Sequence, residues 1–280
     1  MSTTPLPHKV LLHFHLFKNA GTTLDWSLAR SFREDFCEHR DDEAMRGHFD
    51  YLMQFLSEHP NLKALSSHWL PLPPNAAADF ESAVPVAMLR DPIDRIASVY
   101  RFERRQEVEH PGTDRARRGD LSEYVQWRLS PKVGPVIRNF QARMLSGTYP
   151  GPDDDGQLEL ARQRLNSQIR FGLVHRYDES MCLLEHELQS DFPGLDLAYQ
   201  RQNVSDPADG RGVEERRDSV FRELGEELSS EVMAANSRDQ RLFAEACDSF
   251  ESRWAALPNR EERLLRFRER CQSIKGGEGA

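Results

Sequence analysis

Residues 10–24, with the sequence VLLHFHLFKNAGTTL, constrain the fold more than any other stretch. The first seven residues are mostly apolar, which is typical of a strand covered on both faces of a parallel sheet. Gly21 permits a tight turn, and Thr22 or Thr23 can cap the helix that follows. A strand that enters a helix N-terminus through such a turn forms a site for a phosphate group. We therefore predict a phosphate-binding loop with Lys18 as a cation at its mouth.

The rest of the chain predicts an α/β protein. Further buried strands are expected at 62–67, 84–89 and 171–174. A proline-rich loop at 70–75 follows the first of these, and helical patterns follow the other two. Strands that alternate with helices indicate a P-loop-like three-layer fold, in which helices flank a central, mainly parallel sheet. We predict one domain over residues 1–280.

The ends and the polar segments of the chain are expected to lack regular structure. Residues 1–7 and 272–280 are predicted to be disordered tails. The polar segments 107–120 and 201–217 contain glycine, proline or many charges and are predicted to be surface loops. Helices are expected at 136–145 and over most of residues 220–270, with interruptions near Asn236 and Pro258.

The composition excludes several classes of function. The formal net charge is −9, from 37 lysines and arginines and 46 acidic residues, so nonspecific binding to nucleic acid or to an anionic membrane is not expected. No segment reaches the roughly 20 apolar residues that span a bilayer, and no signal peptide is visible. The cysteines are far apart and indicate free thiols in a reducing compartment, so we expect a cytoplasmic protein. They are Cys37, Cys182, Cys247 and Cys271.

A second motif, LRDPIDRIASVY at residues 89–100, follows the predicted strand 84–89. Arg90 stands at the carboxyl end of that strand, where open α/β sheets bind their ligands. Its guanidinium suits a bidentate contact with phosphate. Ser98 follows about two helical turns later and could return its hydroxyl to the same ligand. The alternative is that Arg90 pairs with Asp91 or Asp94 and Ser98 has no ligand.

The order of residues in these motifs differs from the common nucleotide-binding loop, in which lysine follows the second glycine of G-x-x-x-x-G-K-[ST]. The Lys-x-x-Gly-Thr-Thr order resembles the Pro-Lys-Thr-Gly-Gly-Thr-Thr turn of carbohydrate sulfotransferases, including the heparan sulfate 2-O-sulfotransferase group. Phe17 replaces the proline and Asn19 the first threonine of that turn. The segment 89–100 resembles the 3′-phosphate motif of the same family. Segments 139–147 and 171–180 extend the resemblance, which covers roughly residues 9–205.

The resemblance implies a donor, 3′-phosphoadenosine 5′-phosphosulfate (PAPS), and a product, 3′-phosphoadenosine 5′-phosphate (PAP). Lys18 would stabilise the charge on the leaving oxygen. Asn139, Gln141 and Arg143 would contact acceptor or donor, although a structural role is equally open. The donor-binding residues implied by the resemblance are Lys18, Asn19, Ala20, Gly21, Thr22, Thr23, Arg90, Ser98, Arg201, Asn203 and Ser205.

His68 is the candidate base, because sulfuryl transfer to an alcohol requires removal of the hydroxyl proton and histidine titrates near neutrality. In the 2-O-sulfotransferase group a catalytic histidine lies in the same interval between the two phosphate motifs. His13, His15 and His48 are alternatives, and we expect His13 and His15 to be packing or hydrogen-bonded residues of the first strand. No metal-binding motif is visible, and the family requires no metal.

The predicted activity is transfer of a sulfuryl group from PAPS to a hydroxyl of an acceptor, with a carbohydrate or glycoconjugate as the family default. A lipid or a small alcohol also fits, because the loops that would select the acceptor carry no signature. Two alternatives have a similar pocket. A P-loop phosphotransferase or hydrolase would need magnesium and an acidic ligand, and a non-catalytic module would bind the nucleotide without transfer.

Overall fold

The computed structural model describes residues 8–46, 48–72, 82–147, 154–200, 202 and 210–277. These residues form a five-stranded sheet in the order β2-β3-β1-β4-β5, and every neighbouring pair of strands is parallel. The strands are β1 (Val10–Phe14), β2 (Phe36–Glu38), β3 (Ala64–Ser67), β4 (Ala83–Leu89) and β5 (Arg170–Leu173). The predicted α/β fold, with a central parallel sheet flanked by helices in the manner of P-loop proteins, is confirmed.

Helices precede or follow each strand, as the sequence pattern predicts. Short 3₁₀ turns at Arg33–Asp35 and Val174–Arg176 join the longer elements. The helices are α1 (Gly21–Phe32), α2 (Asp42–Met45), α3 (Phe49–Glu58), α4 (Pro92–Arg105), α5 (Pro111–Arg118), α6 (Leu121–Leu129), α7 (Phe140–Leu145), α8 (Asp155–Ser167), α9 (Tyr177–Leu188), α10 (Val213–Ala235), α11 (Ser237–Ala256) and α12 (Arg260–Gly277).

The central position of β1 determines where a ligand can bind. From β1 the chain passes to β2 and β3 on one side of the sheet and then crosses to β4 on the other side. Ligands of open parallel sheets bind beyond the carboxyl ends of the strands, where the connections change direction. The turn after β1 and the turn after β4 meet at this place, because Phe14 pairs with Ala87 in the register of the two strands.

The core explains why the apolar patterns form these elements. All five residues of β1 are buried, since the strand is covered on both faces. Leu24 and Leu28 recur with helical spacing and are fully buried in the main core. Ile93 and Ile96 of α4 pack in a second apolar cluster together with residues of α6 and α10. The two motifs predicted to bind phosphate therefore stand on elements fixed by burial.

Two predicted surface loops are wrong in part. Within 107–120 the chain forms α5, in which Gly112, Thr113 and Ala116 are buried. His110 starts this helix, because its Nδ1 accepts a hydrogen bond from the Gly112 amide (3.1 Å) and proline occupies the first helical position. The last residues of the predicted loop 201–217 belong to α10, which begins at Val213.

Three further boundaries differ from expectation. The predicted tail 272–280 is helical through Gly277, since α12 continues to that residue. In the segment 136–145 only α7 is helical, and Asn139 precedes it with a left-handed backbone. Neither Thr22 nor Thr23 caps α1. The N-cap is Ala20, and no side chain provides a capping hydrogen bond.

The predicted thiol state agrees with the structure, in which all four cysteines are unpaired. None of the helices in the described part of the chain combines the length and the apolar character that a bilayer crossing requires.

The breaks expected in the C-terminal region also occur, because Asn236 separates α10 from α11 and Pro258 lies between α11 and α12.

Candidate functional site

The turn between β1 and α1 has an unusual backbone. Lys18 and Ala20 both have positive φ angles, 65° and 59°, in a region that residues with a β-carbon rarely adopt. Such conformations persist only where surrounding contacts impose them, and they are concentrated at functional sites. An alternation of left-handed residues with others also turns successive amides toward one side, which creates a concave site for an anion.

Donors from elsewhere in the chain hold the carbonyl groups of this turn. The guanidiniums of two arginines of the β4–α4 segment bind two successive carbonyls, and a tyrosine hydroxyl binds a third. The pairs are Phe17 O with Arg95 Nε (3.0 Å), Lys18 O with Arg90 Nη1 (3.0 Å) and Ala20 O with the Tyr177 hydroxyl (3.3 Å). A carbonyl and the next amide point in opposite directions across a trans peptide, so these contacts turn the following amides away from the arginines.

Several amides of the turn remain available to a ligand. Within the described residues, the backbone N–H groups of Lys18, Ala20, Gly21 and Thr22 have no acceptor. The first amides of a helix lack intrahelical partners and lie at the positive end of its dipole. The turn therefore offers a row of donors to a phosphate or sulfate group.

Asn19 and Gln141 connect this turn to the end of β4. The Asn19 amide nitrogen donates to the Met88 carbonyl and to Gln141 Oε1, both at 2.7 Å. The Gln141 side chain also binds the backbone N–H of Arg90 (3.0 Å) and its carbonyl (2.8 Å). Both side chains are buried, so they support the site from beneath. The Asn19 backbone N–H is also engaged, since it donates to the Leu16 carbonyl (3.1 Å), so the predicted contact of Asn19 with the nucleotide is replaced by a supporting role.

Lys18 lies in a cationic environment. Burial, followed by the charges of neighbouring arginines, lowers the pKa of Lys18 to about 8, and Arg90 is the largest of these charges. The ammonium lies 4.2 Å from the centroid of the Phe102 ring, which stabilises it by a cation–π contact. Repulsion among these cations would be relieved by an anion, as expected of an anion site.

Arg90 lies at the carboxyl end of β4. It also forms the ion pair with Asp94 that is the alternative to a phosphate contact. Its Nε donates to Asp94 Oδ2 (2.8 Å), and Asp94 also accepts a hydrogen bond from Arg216 Nε (2.9 Å). The remaining nitrogen, Nη2, has no partner in the part of the chain that the structure describes. Ser98 is buried on α4, one turn after Asp94, and the described residues provide no partner for its hydroxyl.

A cavity of about 220 Å³ lies beside the Arg90–Asp94 pair, between α4, α6 and the start of α10. Three arginines and two acidic residues contribute to its lining, and Tyr100 supplies an aromatic wall. The arginines are Arg101, Arg211 and Arg216, and the acids are Asp94 and Glu223. The site therefore extends from the turn toward an arginine-rich cavity.

His68 follows β3 and lies beside the turn. Its Nδ1 is 2.7 Å from the His15 carbonyl, which can only accept, so Nδ1 carries the proton and Nε2 has a free lone pair. Burial, with a smaller contribution from His15, lowers the pKa of His68 below its ordinary value. The imidazole is therefore neutral at neutral pH, as a general base requires.

A buried group that the sequence did not assign to the site lies under the turn. Asp25 of α1 accepts from His13 Nδ1 (2.6 Å) and from His15 Nδ1 (2.7 Å). Both histidines are hydrogen-bonded, as predicted, but only His13 lies in the first strand, because β1 ends at Phe14 and His15 follows it. His15 also packs against His68, with ring centroids 4.3 Å apart and ring planes tilted by 47°. The pattern His-x-His with an acid one helical turn inside the next helix could have predicted this contact.

The other predicted site residues have different surroundings. Asn139 Oδ1 accepts from the amides of Arg238 (3.0 Å) and Asp239 (3.2 Å), and therefore caps α11. Arg143 is buried, and its Nε donates to the Arg138 carbonyl (3.3 Å). Asn139, Gln141 and Arg143 were expected to contact acceptor or donor. The contacts of Asn139 and Arg143 are with other parts of the protein and hold the fold together, whereas Gln141 supports the turn.

The predicted nucleotide-binding segment near residue 205 is described only at Gln202, since Arg201, Asn203 and Ser205 lie outside the described residues. The Gln202 amide donates to the Thr23 hydroxyl (3.1 Å), so this segment reaches the first turn of α1. Thr22 is exposed at the same helix end, whereas Thr23 is buried.

Comparison with known proteins does not identify an activity for this chain. No family model matches the chain. The chain is 28% identical over 248 residues to an uncharacterized protein of Archaeoglobus fulgidus, and the match covers 86% of this chain and 97% of that protein. The similarity therefore extends over nearly the whole of the archaeal protein.

Proposed function

We propose that the protein is a sulfotransferase that uses PAPS as donor. The observation that carries the proposal is the contact of Arg90 Nη1 with the Lys18 carbonyl (3.0 Å), which brings together two motifs 72 residues apart. Each motif resembles one phosphate-binding element of the carbohydrate sulfotransferases. Together they form a two-phosphate clamp at the ligand edge of a parallel sheet.

In this proposal the turn after β1 binds the 5′-phosphosulfate. The free amides of Ala20, Gly21 and Thr22 hold its oxygens at the N-terminus of α1. Lys18 stabilises the charge that develops on the oxygen between sulfur and phosphorus. Because a charged donor in a preorganised site is commonly worth about 3–4 kcal/mol, its loss has a large effect on turnover.

The 3′-phosphate would lie between Arg90 and Ser98. Among the described residues, Arg90 Nη2 has no partner. Arg216 also holds Asp94, so Asp94 keeps a cationic partner when Arg90 turns toward a phosphate. The arginines of the adjacent cavity add positive charge around that phosphate. Fixing both phosphates orients the sulfur for in-line attack.

His68 takes the proton of the attacking hydroxyl through Nε2. The acceptor is an alcohol, with a carbohydrate as the class that the resemblance favours. The P-loop alternative requires an acid that is free to bind magnesium, and the nearest acids are engaged. Asp25 binds two histidines, and Asp91 Oδ1 accepts the amides of Ile93 and Asp94, both at 2.9 Å.

The test is transfer of labelled sulfuryl from PAPS to a panel of glycans, lipids and small alcohols, with and without a chelator. We expect transfer that the chelator does not reduce. Lys18→Ala should lower turnover roughly a hundredfold, since it removes a preorganised charge. Lys132→Ala, at an exposed lysine outside the site, is the matched control. A Lys18→Ala protein with turnover within about threefold of the original would contradict the assigned role.

A further inference from the structure

The Asp25 carboxylate is shared by two imidazoles in the interior. Although burial alone would raise the pKa of Asp25, the charges and hydrogen bonds of His13 and His15 hold it far below its ordinary range. Asp25 is therefore ionised, and an ionised carboxylate only accepts hydrogen bonds. Each imidazole must then carry a proton on Nδ1. The difference between the two histidines that matters for a ligand is the surroundings of Nε2.

His13 has no route to a ligand. Its side chain is completely buried, and its Nε2 has no hydrogen-bond partner within the described residues. Its Nδ1 lies 3.1 Å from the Ser66 hydroxyl in addition to Asp25. His13 is thus a structural partner of the carboxylate.

His15 instead reaches the turn. A β-carbon at Gly21 would lie 2.3 Å from His15 Cδ2 and 2.6 Å from His15 Nε2, so the imidazole occupies the space of the missing side chain. The Cα–Cβ direction in a helix tilts toward the N-terminus, which is the side where the free amides of α1 point. Nε2 therefore lies beside the row of amides that we assign to the bound anion.

We propose that His15, oriented by Asp25, is a further ligand-binding residue, which contacts an oxygen of the phosphate or sulfate group bound on the turn through Nε2. The proposal rests on the anion site of the proposed function. An oxyanion offers only acceptors, so this contact requires a proton on Nε2 as well as on Nδ1. The bound state then contains an imidazolium whose charge is balanced by the Asp25 carboxylate.

The ionisable groups around His15 are Asp25 from α1, His13 from β1 and His68 after β3. The three potential metal ligands His13, His15 and Asp25 have ligand atoms within 4.8 Å of one another. Their N···O separations of 2.6 and 2.7 Å are those of hydrogen bonds. Ligands of a tetrahedral zinc stand about 3.3 Å apart, so the observed distances favour a protonated pair over a metal site.

The experiment records the imidazole nitrogen signals of the full chain by NMR at pH 8, free and with inorganic sulfate or PAP. At this pH, about 1.5 units above the ordinary histidine pKa, an unpaired imidazole is neutral. We expect the His15 signals of the anion-bound protein to be those of an imidazolium. A neutral His15 in the bound state, no binding of either anion, or a metal ion in the purified protein with Nδ1 deprotonated would each overturn the proposal.

Calorimetry on two variants separates binding from folding. His15→Asn keeps a donor toward Asp25 and removes Nε2, so sulfate and PAP affinity should fall about tenfold or more. His13→Asn makes the same exchange on the same carboxylate and should change affinity less than about threefold. Equal effects in both variants would overturn the proposal. A wild-type protein that binds sulfate but prefers PAP no more than 5′-AMP would contradict the proposed function and leave the His15 result intact.

Discussion

The protonation states of two residues, His68 and Lys18, determine the pH range in which the proposed chemistry works. His68 must be neutral to accept a proton, and its pKa lies below its ordinary value because it is buried and adjoins His15. Lys18 must be charged to stabilise the leaving group, and its pKa is about 8. The two requirements define an interval between the pKa of His68 and about pH 8.

We therefore expect a bell-shaped pH profile of kcat/KM. Activity falls below the pKa of His68, at a pH under 6.5, as the base becomes protonated, and falls again near pH 8 as Lys18 loses its proton. His68→Asn should lower kcat roughly a hundredfold or more and abolish the acidic limb. An acidic limb that persists in this variant would assign the base to another residue.

We expect the partly buried charge of Lys18 to lower the free energy of unfolding, although the same charge favours anion binding. The unfolded chain holds the lysine proton up to about pH 10.5, whereas the folded chain releases it near pH 8 because of burial and of the nearby arginines. Between these values the unfolded state binds more protons, so stability rises with pH.

Lys18→Met removes this dependence, and at pH 7 it should raise the free energy of unfolding by roughly 1–3 kcal/mol while it weakens PAP binding. Denaturant unfolding at pH 7 and at pH 10 measures the effect, with Lys132→Met as the control at an exposed site. A Lys18→Met protein that is less stable than the original at pH 7 would show that the ammonium has a stabilising partner.

At the scale of the elements, the start of α1 depends on the absence of a side chain at Gly21. The His15 ring fills that space and is hydrogen-bonded to Asp25, so a β-carbon at residue 21 would force the ring or the backbone to shift. The need for glycine here comes from the close approach of this ring, because the positive φ angles of the turn belong to Lys18 and Ala20.

Gly21→Ala should therefore destabilise the protein by roughly 1–3 kcal/mol through overpacking and weaken sulfate binding in the same variant. Gly134→Ala is the matched control, since no atom lies within 4 Å of a β-carbon at that position. We expect the control to change stability by less than about 0.5 kcal/mol. Thermal unfolding and sulfate titration check both variants, and equal behaviour of the two would contradict the packing of His15 against Gly21.

The elements near the site could be predicted because each has a local signal. Apolar runs predicted β1 and β4, and Pro92 predicted the start of α4. The contacts of Gln141 with Asn19 and Arg90 join residues distant in the chain, which local periodicity does not reveal. The contacts of Asp25 with His13 and His15 are close in the chain, and the His-x-His pattern before the helix could have predicted them. The helix α5 was missed because its signal is a single histidine cap before a proline in an otherwise charged segment.

At the scale of the whole molecule, the sheet order accounts for the site. Motifs that are far apart in the chain meet because β1 lies between β3 and β4, and the turns after these strands share one edge. The net charge of −9 is compatible with an anion site, since Lys18 and four arginines form a local group of cations at the turn. The alternation of strands and helices predicted this architecture, whereas the order of the strands required the structure.

The most direct test of the two-phosphate clamp is calorimetric titration of the protein with PAP, 5′-AMP and ATP under identical conditions. We predict that PAP binds at least about tenfold more tightly than 5′-AMP, because the 3′-phosphate contributes a charge-assisted contact, and that Arg90→Gln removes this preference. Equal affinity for PAP and 5′-AMP, or tighter binding of ATP with magnesium, would contradict the assignment of the site to PAPS.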